Sequence, residues 1–355
     1  MRKKYLCPSC KKDLSEKIVE LPFFTHFKFY LIKKKHSYLI CNVCNLIINK
    51  NLTNKNLKFI LTKNYSKLNL TQKSFKKIKN FQKHDEQFYY LKKNRILNEG
   101  MSILDIGCNK GYLLKKIRKN IKNSICKGYD ENPHIKRYLK NKHIFFDYKR
   151  NRTYKFDLII LSHSLMYFKN INKLIQGFQK NLSKDGKIFI EIPNIENSSF
   201  YLLMGDQYYF FSIYFLQKIF SKFKLFLFNT NYSKSNSNLS IIFGKKKINE
   251  YKFKKFNLIK SLKYLFYLKN YLKNLKKKNV IIFGTTVKAA FVHYFINKEI
   301  KFFADEENKN KYFNDIKVRH PRFIKKDDFV IVPLKEKKKI LKNLKRKYLG
   351  TFKII

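Results

Sequence analysis

A chain of 355 residues with 44% hydrophobic content has material for two or three packed domains and is no disordered polymer. Its net charge of +55, from 79 Lys and Arg against 24 Asp and Glu, is mostly lysine spread from end to end beside heavy use of Asn, Ile, Phe and Tyr, so a localised nucleic-acid surface is not expected. No uncharged apolar run of about 18 residues is present to span a bilayer, and the basic start runs into Cys7 rather than an apolar signal core, so a cytoplasmic location is expected.

In chain order, two C-x-x-C pairs come first, Cys7/Cys10 and Cys41/Cys44. Two thiolates on each tight turn can clamp one side of a tetrahedral ion, so these four cysteines point to a closed structural zinc site. The alternatives are a redox pair, which would sit between a strand and a helix, and disulfides, which do not persist in a reducing cytosol. The module spans 1–55, and a polar, lysine-rich helical linker (56–82) follows.

From Ile103 short apolar runs alternate with helical ones. Strands are expected at 103–106, 124–129, 143–146, 156–161 and 187–192, and helices at 112–120, 134–139 and 171–182. Alternation of this kind gives a parallel sheet covered on both faces. A helix at 213–220 and two strand-like runs, 225–228 and 239–243, suit an antiparallel close of the sheet. The domain is placed at 83–248. A lysine-rich helical linker (249–277) leads to a smaller α/β unit at 278–355, with strands at 279–283, 300–304 and 328–333 and a helix at 288–296. Its turn, Gly284 to Lys288, lacks the second and third glycines of a dinucleotide fingerprint, so a structural or substrate-holding role is expected there.

The chemistry concentrates at Ile103–Gly111, which reads I-L-D-I-G-C-N-K-G. Gly107 after a buried strand lets the backbone turn sharply and lets a ligand come close. The helix start after Gly111 aims free N–H groups at the occupant, for which a nucleotide-like ligand is the natural choice. Asp130 lies about 20 residues on, where a carboxylate can accept both hydroxyl protons of a ribose. The turn is not G-x-G-x-x-G, and the acidic Asp105 precedes Gly107. Both departures point away from NAD.

The stretch Leu104-Asp105-Ile106-Gly107-Cys108-Asn109-Lys110-Gly111 resembles the first motif of the Rossmann-like S-adenosylmethionine-dependent methyltransferases. The likeness continues through Phe156-Asp157-Leu158-Ile159 and Asp185-Gly186-Lys187-Ile188. It implies a seven-stranded α/β sheet with S-adenosylmethionine held by Asp105, Gly107, Cys108, Asn109, Gly111 and Asp130. Asp147, after the third expected strand, is placed to meet the adenine amino group, though Phe145, Phe146 and Tyr148 beside it could equally pack the base or the core. His163 lies at the carboxyl end of the fourth expected strand, where it could take a proton or touch the methyl donor. Tyr65, Tyr208 and Tyr209 are further candidate substrate contacts.

A narrower resemblance spans nearly the whole chain. A four-cysteine zinc module, a methyltransferase domain and a C-terminal Rossmann-like domain, in this order, resemble the C-methyltransferases of nucleotide-linked deoxy-keto-sugars. That likeness implies a nucleotide-sugar substrate. Where the family carries His-Glu-His before an aromatic-Phe-Ser stretch, this chain has Gly205-Asp206-Gln207-Tyr208. Asp206 thus stands over the glutamate as acid/base or sugar-hydroxyl ligand. Two other readings are an RNA methyltransferase using the ribbon and basic surface, and a binding protein that keeps the fold without catalysis. Nothing in the sequence indicates an oligomeric state.

Overall fold

The computed structural model describes residues 5–25, 31–59, 80–151, 153–233, 237–247, 252–296, 300–306, 312–333 and 338–355. The chain divides into two compact units. The first comprises Met1–Lys17, Tyr38–Asn197 and Gln207–Phe256; the second comprises Ile18–Ser37, Ser198–Asp206 and Asn257–Ile355. Most of the expected lysine-rich linker, with Tyr65 in it, lies outside the described residues. Among the described residues no helix is long and apolar enough to cross a membrane.

The first unit is built on a six-stranded sheet. Its strands are β1 (Ser102–Ile106), β2 (Ile125–Tyr129), β3 (Phe156–Ser162), β4 (Leu182–Pro193), β5 (Phe226–Tyr232) and β6 (Asn238–Gly244). They lie in the order β5-β6-β4-β3-β1-β2. The first four run parallel, β6 is antiparallel to β4, and β5 is antiparallel to β6. Strands covered on both faces read as unbroken apolar runs, as in residues 158–161 of β3. Alternation along each strand then sorts the side chains into two layers. Leu104, Ile106, Ile159, Leu161, Ile188 and Ile190 pack on one face, and Ile103, Leu158, Ile160 and Phe189 on the other.

Five helices cover those faces: α1 (Asn80–Lys93), α2 (Tyr112–Asn120), α3 (Pro133–Asn141), α4 (Ile171–Asn181) and α5 (Ile213–Ser221). Leu91, Leu113, Ile117, Ile135 and Leu139 bring α1, α2 and α3 onto the second face. Ile175, Phe178, Phe215 and Ile219 bring α4 and α5 onto the first. The lysines of α2 fall on its outer side, so charge and core separate around one helix. The chain winds outward from β1 through α2 to β2, then returns to lay β3 on the other side of β1. The carboxyl ends of β1 and β3 therefore flank a topological switch point, the usual ligand crevice of such sheets.

Two expectations are corrected here. The sheet has six named strands rather than seven: 143–146 makes only a single parallel bridge, Phe145 to Gly128, closed by Gly128 N–H to Ile144 O (2.7 Å) and Phe146 N–H to Gly128 O (3.0 Å). The chain turns away at once, because Arg150 and Asn151 fold back onto the Asp147 carbonyl. Strand β4 begins at Leu182 rather than Lys187. Leu182 pairs with Phe156 ahead of a register shift, and the Asp157 carboxylate accepts from Ser102 N–H (2.9 Å) and Ser183 Oγ (2.8 Å), tying the early part of β4 into the sheet.

The second unit has its own sheet, with β7 (Val280–Phe283), β8 (Phe302–Ala304), β9 (Tyr312–Phe313), β10 (Ile316–Arg319), β11 (Phe329–Val332) and β12 (Thr351–Ile354) in the order β9-β10-β8-β7-β11-β12. All but β9 are parallel. Helix α6 (Leu258–Lys273) buries the stripe Leu258, Leu262, Leu265, Leu268 and Leu272. Helices α7 (Val287–Phe295) and α8 (Lys338–Lys347) complete the unit. Strands β9, β10 and β12 had no counterpart in the sequence reading. All three are short and bury little of their length.

Ile159, fully buried at the middle of β3, tests this packing. Ile159→Ala should cost the first unit about 3 kcal/mol through lost contacts and a cavity, read as a lowered urea midpoint. Ile125→Ala, at an exposed position, should stay within about 0.5 kcal/mol.

Candidate functional site

The loop after β1 is fixed by hydrogen bonds to the end of β2. The N–H groups of Gly107 and Cys108 both reach the Tyr129 carbonyl (2.8 and 3.2 Å), and Asn109 N–H reaches Asp130 Oδ2 (3.0 Å). Gly107, Asn109 and Gly111 all take left-handed backbone angles, with φ of 78, 51 and 67°. A Cβ on Gly107 would stand 2.5 Å from Ser164 Cβ. The bare backbone therefore lets Ser164 Oγ donate to the Ile106 carbonyl (2.6 Å), joining the ends of β1 and β3.

Helix α2 starts directly from Gly111 with no side-chain cap. By contrast α3, α4, α5 and α6 are capped by Asn132, Asn170, Ser212 and Asn257. The first-turn N–H groups of α2 are thus left to an acceptor from outside the helix. Asn109 Oδ1 is also shielded from solvent and has no hydrogen-bond partner among the described residues. Burial pushes the Asp130 carboxyl up, against the two N–H groups of Asn109 and Asn132 that hold its charged form. Each of its oxygens keeps a second lone pair, so two hydroxyls can still donate to it. Asp105 is buried in β1. Burial, then the fields of Asp105 and Asp130, push the Cys108 thiol up and keep it protonated.

His163 follows β3 with a left-handed backbone (φ 51°). Its N–H donates to the Glu191 carbonyl (2.8 Å), and its Nε2 lies 3.0 Å from Glu191 Oε1. Gln87 Nε2 stands 2.7 Å from both Glu191 Oε1 and Ser162 Oγ, and Ser240 Oγ donates to Glu191 Oε2 (3.1 Å). His84 Nδ1 meets Gln87 Oε1 at 3.0 Å, and its ring stacks over Tyr112 at the head of α2. Sequence reasoning passed over Ser164, Gln87, His84 and Glu191. The available signal was a charge inside the apolar run Ile188 to Ile192.

The loop residues and Asp130 therefore come together directly, and Ser164 ties His163's segment to them. Asp147 lies in the turn after the Phe145 bridge, where its carboxylate accepts from Lys149 N–H (3.2 Å) and pairs with Arg150 (3.7 Å). Asp206 belongs to the second unit and is fully buried. Tyr208 and Tyr209 are also buried. Tyr209 pairs with Ile48 of the N-terminal ribbon and donates to the Lys169 carbonyl (2.5 Å).

In the ribbon, strands His36–Cys41 and Leu46–Asn49 pair antiparallel. The cysteine turns share one geometry: Lys11 and Asn45, each just past the second cysteine, are left-handed (φ 62 and 58°) and donate to the Cys7 and Cys41 carbonyls. This curls both thiols of each pair inward, and the four Sγ atoms lie within 4.8 Å of one another. Four sulfurs at 2.3 Å from a tetrahedral ion stand about 3.8 Å apart, so the set fits Zn²⁺.

Residues 81–225, the segment that holds β1 to β4 and the loop, match the family model described as a methyltransferase domain. The match covers less than half of the chain, and no curated protein sequence matches it. Among solved structures, the magnesium protoporphyrin IX methyltransferase of Synechocystis PCC 6803, with bound SAH, is similar at 13% identity and a TM-score of 0.39, over 46% of this chain and 83% of that one. A S-adenosylmethionine dependent methyltransferase of Mesorhizobium loti is similar at 11% identity and a TM-score of 0.38, over 44% and 97%. A chain from the complex of the Haloferax volcanii Trm112 methyltransferase activator with a methyltransferase is similar at 11% identity and 0.39, over 47% and 93%.

Purified chain should carry one zinc ion, measured by atomic absorption. Cys41→Ser should lose the metal, and chelation should melt the ribbon while β1 to β4 keep their circular dichroism. Retained zinc in Cys41→Ser would reject the four-sulfur assignment. Gly107→Ala should destabilise the first unit by about 1–3 kcal/mol through its left-handed φ and the Ser164 collision, seen as a lower melting temperature.

Proposed function

We propose that the chain is an S-adenosylmethionine-dependent methyltransferase acting on a nucleotide-linked sugar. The observation that carries the donor assignment is the coincidence of the methyltransferase-domain match over 81–225 with the uncapped loop and the Asp130 carboxylate. Bound there, S-adenosylmethionine would supply a methyl carbon on a positively charged sulfur, an electrophile that needs no further activation. Asp130 would accept from the ribose hydroxyls, and the 107–111 backbone would line the donor, with Asp105 and the Asn109 amide supporting it. Asp147 is the candidate adenine contact.

What remains for the protein is to hold the acceptor in line with the methyl carbon, exclude water and remove a proton. His163 and Asp206 are the candidates for that last task. The keto-sugar class rests on the three-part order of ribbon, methyltransferase domain and second α/β unit noted above. In this reading the zinc is structural, because a site with four sulfur ligands leaves no open position.

Calorimetry with S-adenosylmethionine, then with nucleotide sugars and with RNA, tests the reading. Donor and sugar uptake are expected; salt-dependent RNA binding with no response to sugars would overturn the substrate class, and no donor uptake would overturn the activity. Asp130→Ala should weaken donor binding by about 2–3 kcal/mol, as for a hydrogen bond to a charged group. Because burial raises the Asp130 carboxyl, donor affinity should begin to fall above the ordinary carboxylate range as the pH is lowered and the acceptor is protonated.

A further inference from the structure

Glu191 is a carboxylate in the middle of an apolar strand, with only 4% of its surface exposed. Such a group is costly unless fully partnered, and its partners define its state. Gln87 commits its amide nitrogen to Glu191 Oε1 and Ser162 Oγ, which leaves its oxygen to accept from His84 Nδ1. Ser240 donates to the other carboxylate oxygen. Gln87 and Ser240 both present donors to Glu191, which suits an ionised carboxylate, and an ionised carboxylate takes a hydrogen from His163 Nε2. In the neutral ring the lone pair then sits on Nδ1.

Backbone and side chain of Glu191 grip His163 at two points, 2.8 and 3.0 Å. They hold a histidine in left-handed backbone, a conformation that persists only where the surroundings impose it. Glu191's side chain is 6% exposed and that of His163 is 23% exposed, so the ring stands between a buried charge and the ligand edge of the sheet.

We infer that Glu191 is the positioning residue for proton removal: it fixes His163 as the Nε2–H tautomer and sets Nδ1 as the proton-accepting atom, with Gln87 holding Glu191 in place. The role rests on the methyl-transfer reading; the tautomer does not. In the step, the acceptor's proton moves to Nδ1 and its electron pair forms the bond to the methyl carbon. The carbon–sulfur pair stays on sulfur, and the positive charge lost there appears on the ring, beside Glu191. The titratable groups of this network are Glu191 on β4, His163 itself and, through Gln87, His84 on α1.

The full chain labelled with ¹⁵N-histidine answers the question by long-range ¹H–¹⁵N correlation, with His163 assigned by its loss in His163→Gln. The expected result is an Nε2–H tautomer that titrates above the ordinary value of about 6.5. Glu191→Gln should lower the proton affinity of His163 about tenfold, one pH unit, and Glu191→Asp should restore much of it. The acid limb of methyl transfer, followed with the nucleotide sugar found by calorimetry, should move down with it. An Nδ1–H tautomer in the unaltered protein overturns the inference without any variant having to fold. An unmoved titration point in folded Glu191→Gln overturns it too, and an unmoved acid limb overturns the base assignment. Failure of donor uptake is read separately by calorimetry and sinks the methyl-transfer reading alone.

Discussion

Parallel pairing of β1 with both β2 and β3 is the constraint on which the site depends. Because all three strands point the same way, their carboxyl ends open at one edge, and the segments after them meet there although they are far apart in sequence. The 107–111 loop follows β1, Asp130 follows β2, and His163 and Ser164 follow β3. Two hydrogen bonds into the Tyr129 carbonyl and one into Asp130 then lock the loop. An antiparallel neighbour would have sent one of these groups to the opposite edge.

Charge placement in this unit follows one pattern. The surface is swamped with lysine, yet two carboxylates near the site are withdrawn from solvent, Asp130 partly and Glu191 almost wholly, and held by backbone or side-chain partners: Asp130 by Asn109 and Asn132, and Glu191 by Gln87, His163 and Ser240. Burial makes these interactions strong and unforgiving, since a donor lost beside a buried carboxylate leaves an unmet charge. The same logic explains Asp157, whose carboxyl is pushed up by burial yet brought below its usual range by Ser102 and Ser183. It stitches the strand starts as the other two organise the strand ends.

In the ribbon a few local features add to a small set of buried apolar residues, Tyr38, Leu39, Leu46 and Ile47. The paired left-handed residues after each C-x-x-C fold the thiols toward a common point, and the strand from Leu46 to Asn49 is covered by Tyr209 and Phe210 from a distant part of the sequence. A module of this size buries too little to fold by apolar contact alone, which is the physical case for a metal.

The sequence by itself determined the alternation of strand and helix, the exact span of α2, the glycine loop, the carboxylate at the end of β2 and the cysteine pairs. These are local matters of periodicity, turn chemistry and spacing, and a short window carries them. Only the tertiary structure decided which charges become partners. Glu191 looks like an interruption of an apolar strand until Gln87, Ser240 and His163 arrive from α1, β6 and the end of β3. It also decided that 143–146 stops at one bridge and that β4 starts early, since strand length depends on what lies alongside. The short strands β10 and β12, with a lysine or arginine among their four residues, likewise gain their identity only from backbone pairing with neighbours, an interaction that side-chain pattern does not encode.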